Sequence, residues 1–148
     1  MSWIRWIDAN LLLYASDSSS PHHPAAERFL TSRVDDPDLC CLGWKTLMIY
    51  VRIATHPRIF SHPLSPDEAL SNVESLIGLA RVRLLAEEDG FLDVYREITS
   101  GAAVRGNLVP DAHLATLLRQ HGVSVLYTAD ADFRRFDFLD VRNPLEER

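Results

Sequence analysis

The chain has 148 residues, which is enough to bury a substantial core, and we expect one domain over residues 1–148 with its core at about 3–144. Apolar residues make up 47% and charged residues 24%, as in ordinary globular proteins, and no apolar run approaches the roughly 20 residues of a membrane span. The net charge of −6 argues against a protein that coats nucleic acid by bulk electrostatics, but it leaves open a nuclease whose site carboxylates and bound metal account for part of the deficit.

The first residues predict a strand rather than a secretion signal, because a charge interrupts the apolar run too soon. We therefore expect a cytoplasmic protein. Cys40 and Cys41 are adjacent in a later apolar run, and their side chains should alternate across a strand. A disulfide between them is not expected, and buried free thiols are.

Hydrophobic periodicity predicts strands that alternate with helices along the chain. The predicted strands cover residues 3–8, 39–42, 82–85, 123–127 and 140–142. The predicted helices cover residues 10–16, 21–34, 46–54, 66–79, 89–104 and 110–121, followed by a short helical or turning piece at 133–138 and a tail at 144–148. Ser20 and Ser65 are the predicted caps of the second and fourth helices, and Glu68 completes a capping box with Ser65. This alternation favours an α/β fold with a mainly parallel sheet covered by helices on both faces.

Acidic residues stand at three predicted strand–helix junctions. Asp8 follows the first strand, Asp111 lies in the first turn of a late helix, and Asp130 and Asp132 follow the fourth strand. In a parallel sheet such junctions lie along one edge, where ligands usually bind. Each residue also has a structural interpretation, because Asp caps helices, favours first helical turns and is common in polar turns.

Carboxylates gathered at one edge repel one another, so they either take up protons or hold a divalent cation. Oxygen ligands suit Mg²⁺ or Mn²⁺, which two or three carboxylates usually hold together with waters. Such an ion can polarise a phosphoryl oxygen, lower the pKa of a bound water and stabilise a leaving oxygen. The pattern therefore predicts a metal-dependent enzyme that acts on phosphate esters.

Other polar and aromatic residues give weaker indications. The sequence contains no zinc-ligand spacing and no Gly-rich phosphate loop, and His113 should point to a different face of its helix from Asp111. Several aromatic residues could stack on bases but are interpreted mainly as packing residues: Trp3, Trp6, Trp44, Tyr14 and Tyr50. Candidate phosphate contacts, with solvated surface charge as the alternative, are Arg52, Arg58, Arg105, Arg134 and Arg135.

Four strings together resemble the PIN-domain ribonucleases, and within them the VapC-type toxins of bacterial toxin–antitoxin pairs: WIDANLLLYA, VRIATHPRIF, NLVPDAHLA and LYTADADF. The resemblance covers about residues 4–144. It implies a three-layer α/β/α PIN-like domain with a central parallel sheet. It also implies a Mg²⁺- or Mn²⁺-dependent endoribonuclease, commonly a homodimer, that a small antitoxin protein holds inactive.

The resemblance also implies roles for individual residues. Metal-site carboxylates would be Asp8, Asp111 and Asp130, with Asp132 as a further acidic member of the catalytic group. Residues that orient these carboxylates would be Asn10 and Thr128.

One position departs from the family pattern. Ile49 occupies the place where many members carry a Glu, and no acidic residue lies between Asp38 and Asp67. A single-metal mechanism is therefore favoured, with Asp132 as a compensating carboxylate. The expected substrate is a structured RNA of the tRNA or rRNA class with an accessible single-stranded loop. Two alternatives stay open: a catalytically impaired binding module, and a metal-dependent nuclease or phosphatase outside any toxin–antitoxin system.

Overall fold

The computed structural model describes residues 4–146 and contains five strands within that part of the chain. The strands are β1 (Ile4–Ile7), β2 (Leu39–Leu42), β3 (Val82–Leu84), β4 (Val125–Tyr127) and β5 (Asp140–Arg142). The helices are α1 (Ala9–Ser16), α2 (His23–Asp35), α3 (Trp44–Ala54), α4 (Pro66–Ile77), α5 (Phe91–Thr99) and α6 (Val109–Gln120). Short 3₁₀ turns cover Gly106–Leu108, Ala131–Arg135 and Pro144–Glu146.

The strands form one parallel sheet in the order β3-β2-β1-β4-β5. β1 lies at its centre and pairs with β2 on one side and β4 on the other, with Arg5 opposite both Cys40 and Val125. The predicted parallel α/β sheet is confirmed. None of the helices within residues 4–146 has the length and apolar character that crossing a bilayer requires.

Two apolar clusters cover the two faces of the sheet, because successive strand residues point to opposite sides. Ile7 and Cys40 belong to the cluster beneath α1, α2, α3 and α4, whereas Trp6 and Cys41 belong to the cluster beneath α5 and α6. Both thiols are buried and free, as predicted. The result is the predicted three-layer arrangement of helices, sheet and helices.

Two helices differ from their predicted ranges. α2 begins at His23 and not at Pro21, because the Asp17 carboxylate accepts hydrogen bonds from the backbone and hydroxyl of Ser19 and favours a turn there. α5 covers Phe91–Thr99 instead of 89–104, because Gly90 before it has a positive φ of 81° and Ser100 after it is extended, followed by Gly101 with a positive φ of 81°.

Smaller differences affect the remaining ends. β4 begins two residues later than predicted, since the Val123 amide donates to the Leu118 carbonyl in the turn after α6. α3 begins two residues early at Trp44, β3 ends at Leu84, and the piece predicted at 133–138 is the 3₁₀ turn at 131–135. The Ser65–Glu68 capping box is present at α4 as predicted. Trp3 and the last two residues of the predicted tail lie outside the described residues.

Candidate metal centre

The candidate site lies at the carboxyl ends of β1 and β4. The chain leaves β1 towards β2 and β3 on one side of the sheet and later enters β4 and β5 on the other. Such a reversal opens a crevice at the strand ends, where ligands bind in open α/β sheets. The Asp8 amide donates to the Tyr127 carbonyl at 2.9 Å, so this residue continues the β1–β4 pairing to the edge of the crevice.

Asp8 both caps α1 and faces the site. Its Oδ1 accepts a hydrogen bond from the Ala9 amide at 2.8 Å, and its Oδ2 accepts one from the Thr128 hydroxyl at 2.8 Å. Burial raises the pKa of this carboxyl, the negative charge of Asp130 raises it further, and the two hydrogen bonds oppose that change. The capping interpretation is therefore correct without excluding a functional one.

Thr128 and Asn10 connect the two strand ends. The Thr128 side chain is 1% exposed, and its Oγ1 also accepts hydrogen bonds from Asn10 Nδ2 at 3.1 Å and from the Asp130 amide at 3.0 Å. Asn10 Oδ1 accepts from the Ala129 amide at 3.3 Å. One buried hydroxyl therefore fixes the position of Asp8 and the backbone course that leads to Asp130.

Three further carboxylates converge beside Asp8. One oxygen from each of Asp111, Asp130 and Asp132 lies within 4.8 Å of the others. Asp111 comes from the first turn of α6, and Asp130 caps the 3₁₀ turn by accepting from the Asp132 amide at 2.9 Å. Burial raises the pKa of Asp111, and the charges of Asp130, Asp132 and Asp8 raise it further, while Arg135 partly offsets them.

This donor set fits a hard divalent cation. Two oxygens bound to one Mg²⁺ lie at most about 4.2 Å apart, which is twice the usual Mg–O distance, so small side-chain movements would bring the three carboxylates into one coordination sphere. The geometric group differs from the expected set, since it contains Asp132, whereas Asp8 stands next to it and is held by its own hydrogen bonds. Mutual repulsion among these carboxylates is the physical reason to expect a cation here.

A pocket of about 350 Å³ extends from the carboxylates across the strand ends. Asp8, Asp111 and Asp130 are among its lining residues. Ile49 also lines it, so the departure from the family pattern lies within the site itself.

The pocket has a second polar group that sequence reasoning missed. Glu87 follows the end of β3, and its Oε2 lies 2.6 Å from His113 Nε2. The hydrogen bond from His113 lowers the pKa of Glu87, with a smaller contribution from the positive charge of Lys45. His113 was expected on a different face from Asp111, yet both line the pocket. The strand-end rule that selected Asp8 would also have selected Glu87.

The candidate phosphate-binding arginines and base-stacking aromatic residues differ in their exposure and in their contacts. Arg135 Nε donates to the Asp132 carbonyl at 3.2 Å and its charge acts on Asp111. Exposed, with no ion pair within residues 4–146, are Arg52, Arg58, Arg105 and Arg134. Trp6 and Tyr50 are buried as expected, but Trp44 is 54% exposed and lines the pocket.

Comparison with known proteins gives a consistent result. Residues 6–139 match the PIN domain. Ribonuclease VapC48 of Mycobacterium tuberculosis is 37% identical over 137 residues, covering 93% of this chain and 94% of the relative. Ribonuclease VapC37 of the same organism is 32% identical over 131 residues, covering 88% of this chain and 90% of the relative.

Solved structures show the same fold. The Mycobacterium tuberculosis toxin VapC20, described as cleaving the sarcin–ricin loop, superposes with a TM-score of 0.64 at 16% identity over 94% of this chain and 99% of its own. VapBC2 from Rickettsia felis, bound to a promoter DNA fragment, gives a TM-score of 0.66 at 14% identity over 95% and 98%. From the domain match, the sequence identity and the shared fold together, the chain belongs to the PIN-domain family.

Proposed function

We propose that this protein is a metal-dependent endoribonuclease that hydrolyses RNA phosphodiester bonds. The observation that supports this most directly is the convergence of Asp111, Asp130 and Asp132 beside Asp8 at the crevice of the sheet. The similarity to Ribonuclease VapC48 and Ribonuclease VapC37 supports RNA as the substrate.

In this proposal Asp111, Asp130 and Asp8 hold a Mg²⁺ or Mn²⁺ ion, and Asp132 completes the group. The bound ion would supply Lewis-acid stabilisation of the phosphoryl oxygens and a lowered pKa for a nearby water. Thr128 and Asn10 keep Asp8 in one orientation through the hydrogen bonds described above. Arg135 is a candidate phosphate contact, because its Nε lies 3.2 Å from the Asp132 carbonyl and its charge acts on Asp111.

We further propose that the protein is the toxin of a type II toxin–antitoxin pair. The solved structure of VapBC2 bound to its promoter DNA supports a partner of the antitoxin class for this chain as well. By family resemblance we infer a homodimer that acts in the cytoplasm on RNA of the tRNA or rRNA class. Arg52, Arg105 and Arg134 are free to contact RNA phosphates further from the site.

The deciding experiment is cleavage of pooled tRNA and rRNA by the purified protein with Mn²⁺ or Mg²⁺, with DNA and small phosphate esters as comparison substrates. Asp111→Asn is the preferred variant, because within residues 4–146 the Asp111 carboxylate accepts no hydrogen bond. Asp8→Asn, in contrast, would turn an amide group towards the Ala9 or Thr128 donors. Metal-dependent cleavage that EDTA and Asp111→Asn abolish is the expected result.

Ile49 supports a second candidate, a PIN-fold binding module without turnover, because an apolar side chain lines the pocket at the position where the family resemblance predicts a carboxylate. A folded wild-type protein that binds Mn²⁺ but cleaves none of these substrates would favour that candidate. Cleavage of DNA or small esters in preference to RNA would instead indicate a different phosphoesterase.

A further inference from the structure

The pocket has a wall that the metal chemistry does not use. We name it the aromatic wall and define it as Trp44, Lys45, Glu87 and His113. It lines the same pocket of about 350 Å³ as Asp8, Asp111 and Asp130, a volume within the range of pockets that hold small organic ligands. A ligand that contacts the aromatic wall therefore lies in the same pocket as the metal ion and phosphate proposed to bind at the carboxylates.

Trp44 is the feature that most requires an explanation. Its side chain is 54% exposed, whereas Trp6 is fully buried. The start of α3 is fixed beneath it, because a Cβ on Gly43 would lie 3.0 Å from the Trp6 ring and the Gly43 carbonyl accepts from the Leu47 amide at 3.1 Å. A large indole is thus presented to the pocket from a fixed backbone.

The other residues of the aromatic wall are polar, and they interact with one another or with a neighbouring ring. His113 Nε2 lies 2.6 Å from Glu87 Oε2, and the Phe91 and His113 rings pack nearly perpendicular to each other with centroids 5.2 Å apart. Lys45 is close enough to lower the pKa of Glu87. An apolar protein segment seated here would bury these charged groups at a large desolvation cost. A ligand with an aromatic face and polar edges avoids that cost.

We propose that the aromatic wall binds one unpaired nucleobase of the RNA substrate, with Trp44 stacked on the base and Glu87 accepting a hydrogen bond from its edge. The proposal rests on the proposed function, since the phosphate of a neighbouring nucleotide would lie at the carboxylates. A base in a duplex is already stacked and paired, so the wall selects single-stranded loops. Lys45 adds a positive charge for the phosphate attached to the same nucleotide.

Binding can be tested without turnover, in EDTA, with a fluorescently labelled single-stranded RNA decamer and a matched duplex. Stacking on an exposed aromatic side chain predicts that Trp44→Ala weakens decamer binding by about tenfold. Trp44→Phe should retain affinity to within about threefold, because it keeps an aromatic face. Leu70→Ala is the matched control, because Leu70 is also an exposed apolar residue but lies on α4, and this variant should bind the decamer as wild type does.

Intrinsic fluorescence gives a second readout. Single-stranded RNA should quench the Trp44 emission, which is obtained by subtracting the Trp44→Phe spectrum, and the duplex should not. Equal decamer affinity of Trp44→Ala and wild type, or equal quenching by duplex and single strand, would overturn the proposal.

The outcome is separable from that of the proposed function. If the enzyme cleaves RNA, Trp44→Ala should raise KM by about tenfold and leave kcat nearly unchanged, since stacking contributes to ground state and transition state alike. Cleavage by Trp44→Ala with unchanged KM would support the endoribonuclease activity and overturn the proposed base-binding site. Loss of decamer binding in Trp44→Ala, with no cleavage by wild type, would support the base-binding site and contradict the endoribonuclease activity.

Discussion

The Thr128 hydroxyl donates to Asp8 Oδ2 at 2.8 Å and so connects the carboxyl ends of β1 and β4. The Thr128 hydroxyl oxygen also accepts hydrogen bonds from Asn10 Nδ2 and from the Asp130 amide. The arrangement of the acidic residues therefore depends on one buried neutral side chain, which leads to the first prediction.

Thr128→Val removes this hydroxyl while nearly conserving the side-chain volume. It leaves the Asp130 amide without its side-chain acceptor and leaves Asn10 Nδ2 with only its longer hydrogen bond, 3.5 Å to Asp8 Oδ2. In this partly buried setting the loss should destabilise the fold by about 1–3 kcal/mol. RNA cleavage should fall as well, because Asp8 loses an orienting donor. Thermal unfolding and cleavage rates should be compared with those of Thr128→Ser, which keeps the hydroxyl. Equal stability and activity of the two variants would contradict this role.

Asp111→Asn should raise the melting temperature of the metal-free protein. Burial and, after it, the charges of the neighbouring carboxylates disfavour ionised Asp111, and a neutral amide of the same shape removes that penalty. Differential scanning fluorimetry in EDTA measures the change, with Glu74→Gln on an exposed part of α4 as the control for loss of a distant negative charge. A lower melting temperature for Asp111→Asn would show that repulsion does not dominate at this position.

The same substitution should remove the stabilisation by metal. A ligand that binds only the folded state at about 100 times its dissociation constant adds about 2.7 kcal/mol, or about 5–10 °C for a protein of this size. Wild-type protein should show such a shift with Mn²⁺, and Asp111→Asn should show little or none. An undiminished shift in the variant would place the principal ion elsewhere.

The stability difference between wild type and Asp111→Asn should depend on pH. The pKa of folded Asp111 is raised above its ordinary value of 3.8, so the contribution of its protonated form is fully present below that value and is lost as pH rises through the folded pKa. In EDTA, the two proteins should unfold at similar temperatures near about pH 4 and diverge towards about pH 7, where wild type is less stable. Parallel curves over this interval would contradict the raised pKa.

The two cysteines should be unreactive in the folded protein. Burial raises the pKa of Cys41 to about 11 and also raises that of Cys40, so little thiolate forms near neutral pH. Ellman's reagent should label neither thiol on mixing with native protein and both after denaturation. Rapid native labelling would indicate that β2 opens readily.

Restoring the family carboxylate tests the consequence of Ile49. Ile49→Glu would add a further acidic group to the lining of the pocket and should lower the Mn²⁺ concentration needed for half-maximal cleavage. Ile49→Gln has nearly the same shape without the charge and is the matched control. If both variants shift the metal requirement equally, the effect comes from polarity and not from a ligand.

Much of this molecule follows from local patterns in the sequence. The five strands, the parallel sheet and the placement of acidic residues at strand ends are set by hydrophobic runs and their junctions, so they were predictable. Helix ends were less so, because left-handed Gly90 and extended Ser100 limit α5 through backbone conformations that periodicity does not report. The turn at Asp17, which the Ser19 amide and hydroxyl stabilise by donating to the Asp17 carboxylate, likewise could not be predicted from hydrophobic periodicity.

The parts of the site that were missed depend on tertiary contacts. Glu87 and His113 are 26 residues apart, and nothing local to either predicts their 2.6 Å contact. Trp44 lies beside apolar runs typical of packed elements, and only the structure shows that its side chain is exposed and lines the pocket. Sequence spacing therefore found the aspartates and missed the aromatic wall that lines the same pocket.

The pairing of β1 with β4 also bears on when the protein can act. Asp8 and Thr128 are separated by 120 positions, and β1 is at the centre of the sheet. Closing so long a loop is entropically costly, and contacts this distant in sequence slow folding. A chain in which β4 has not yet paired with β1 therefore lacks the contact between Asp8 and Thr128. The acidic site forms late in folding, together with the centre of the sheet, and a partly folded chain cannot carry an assembled site.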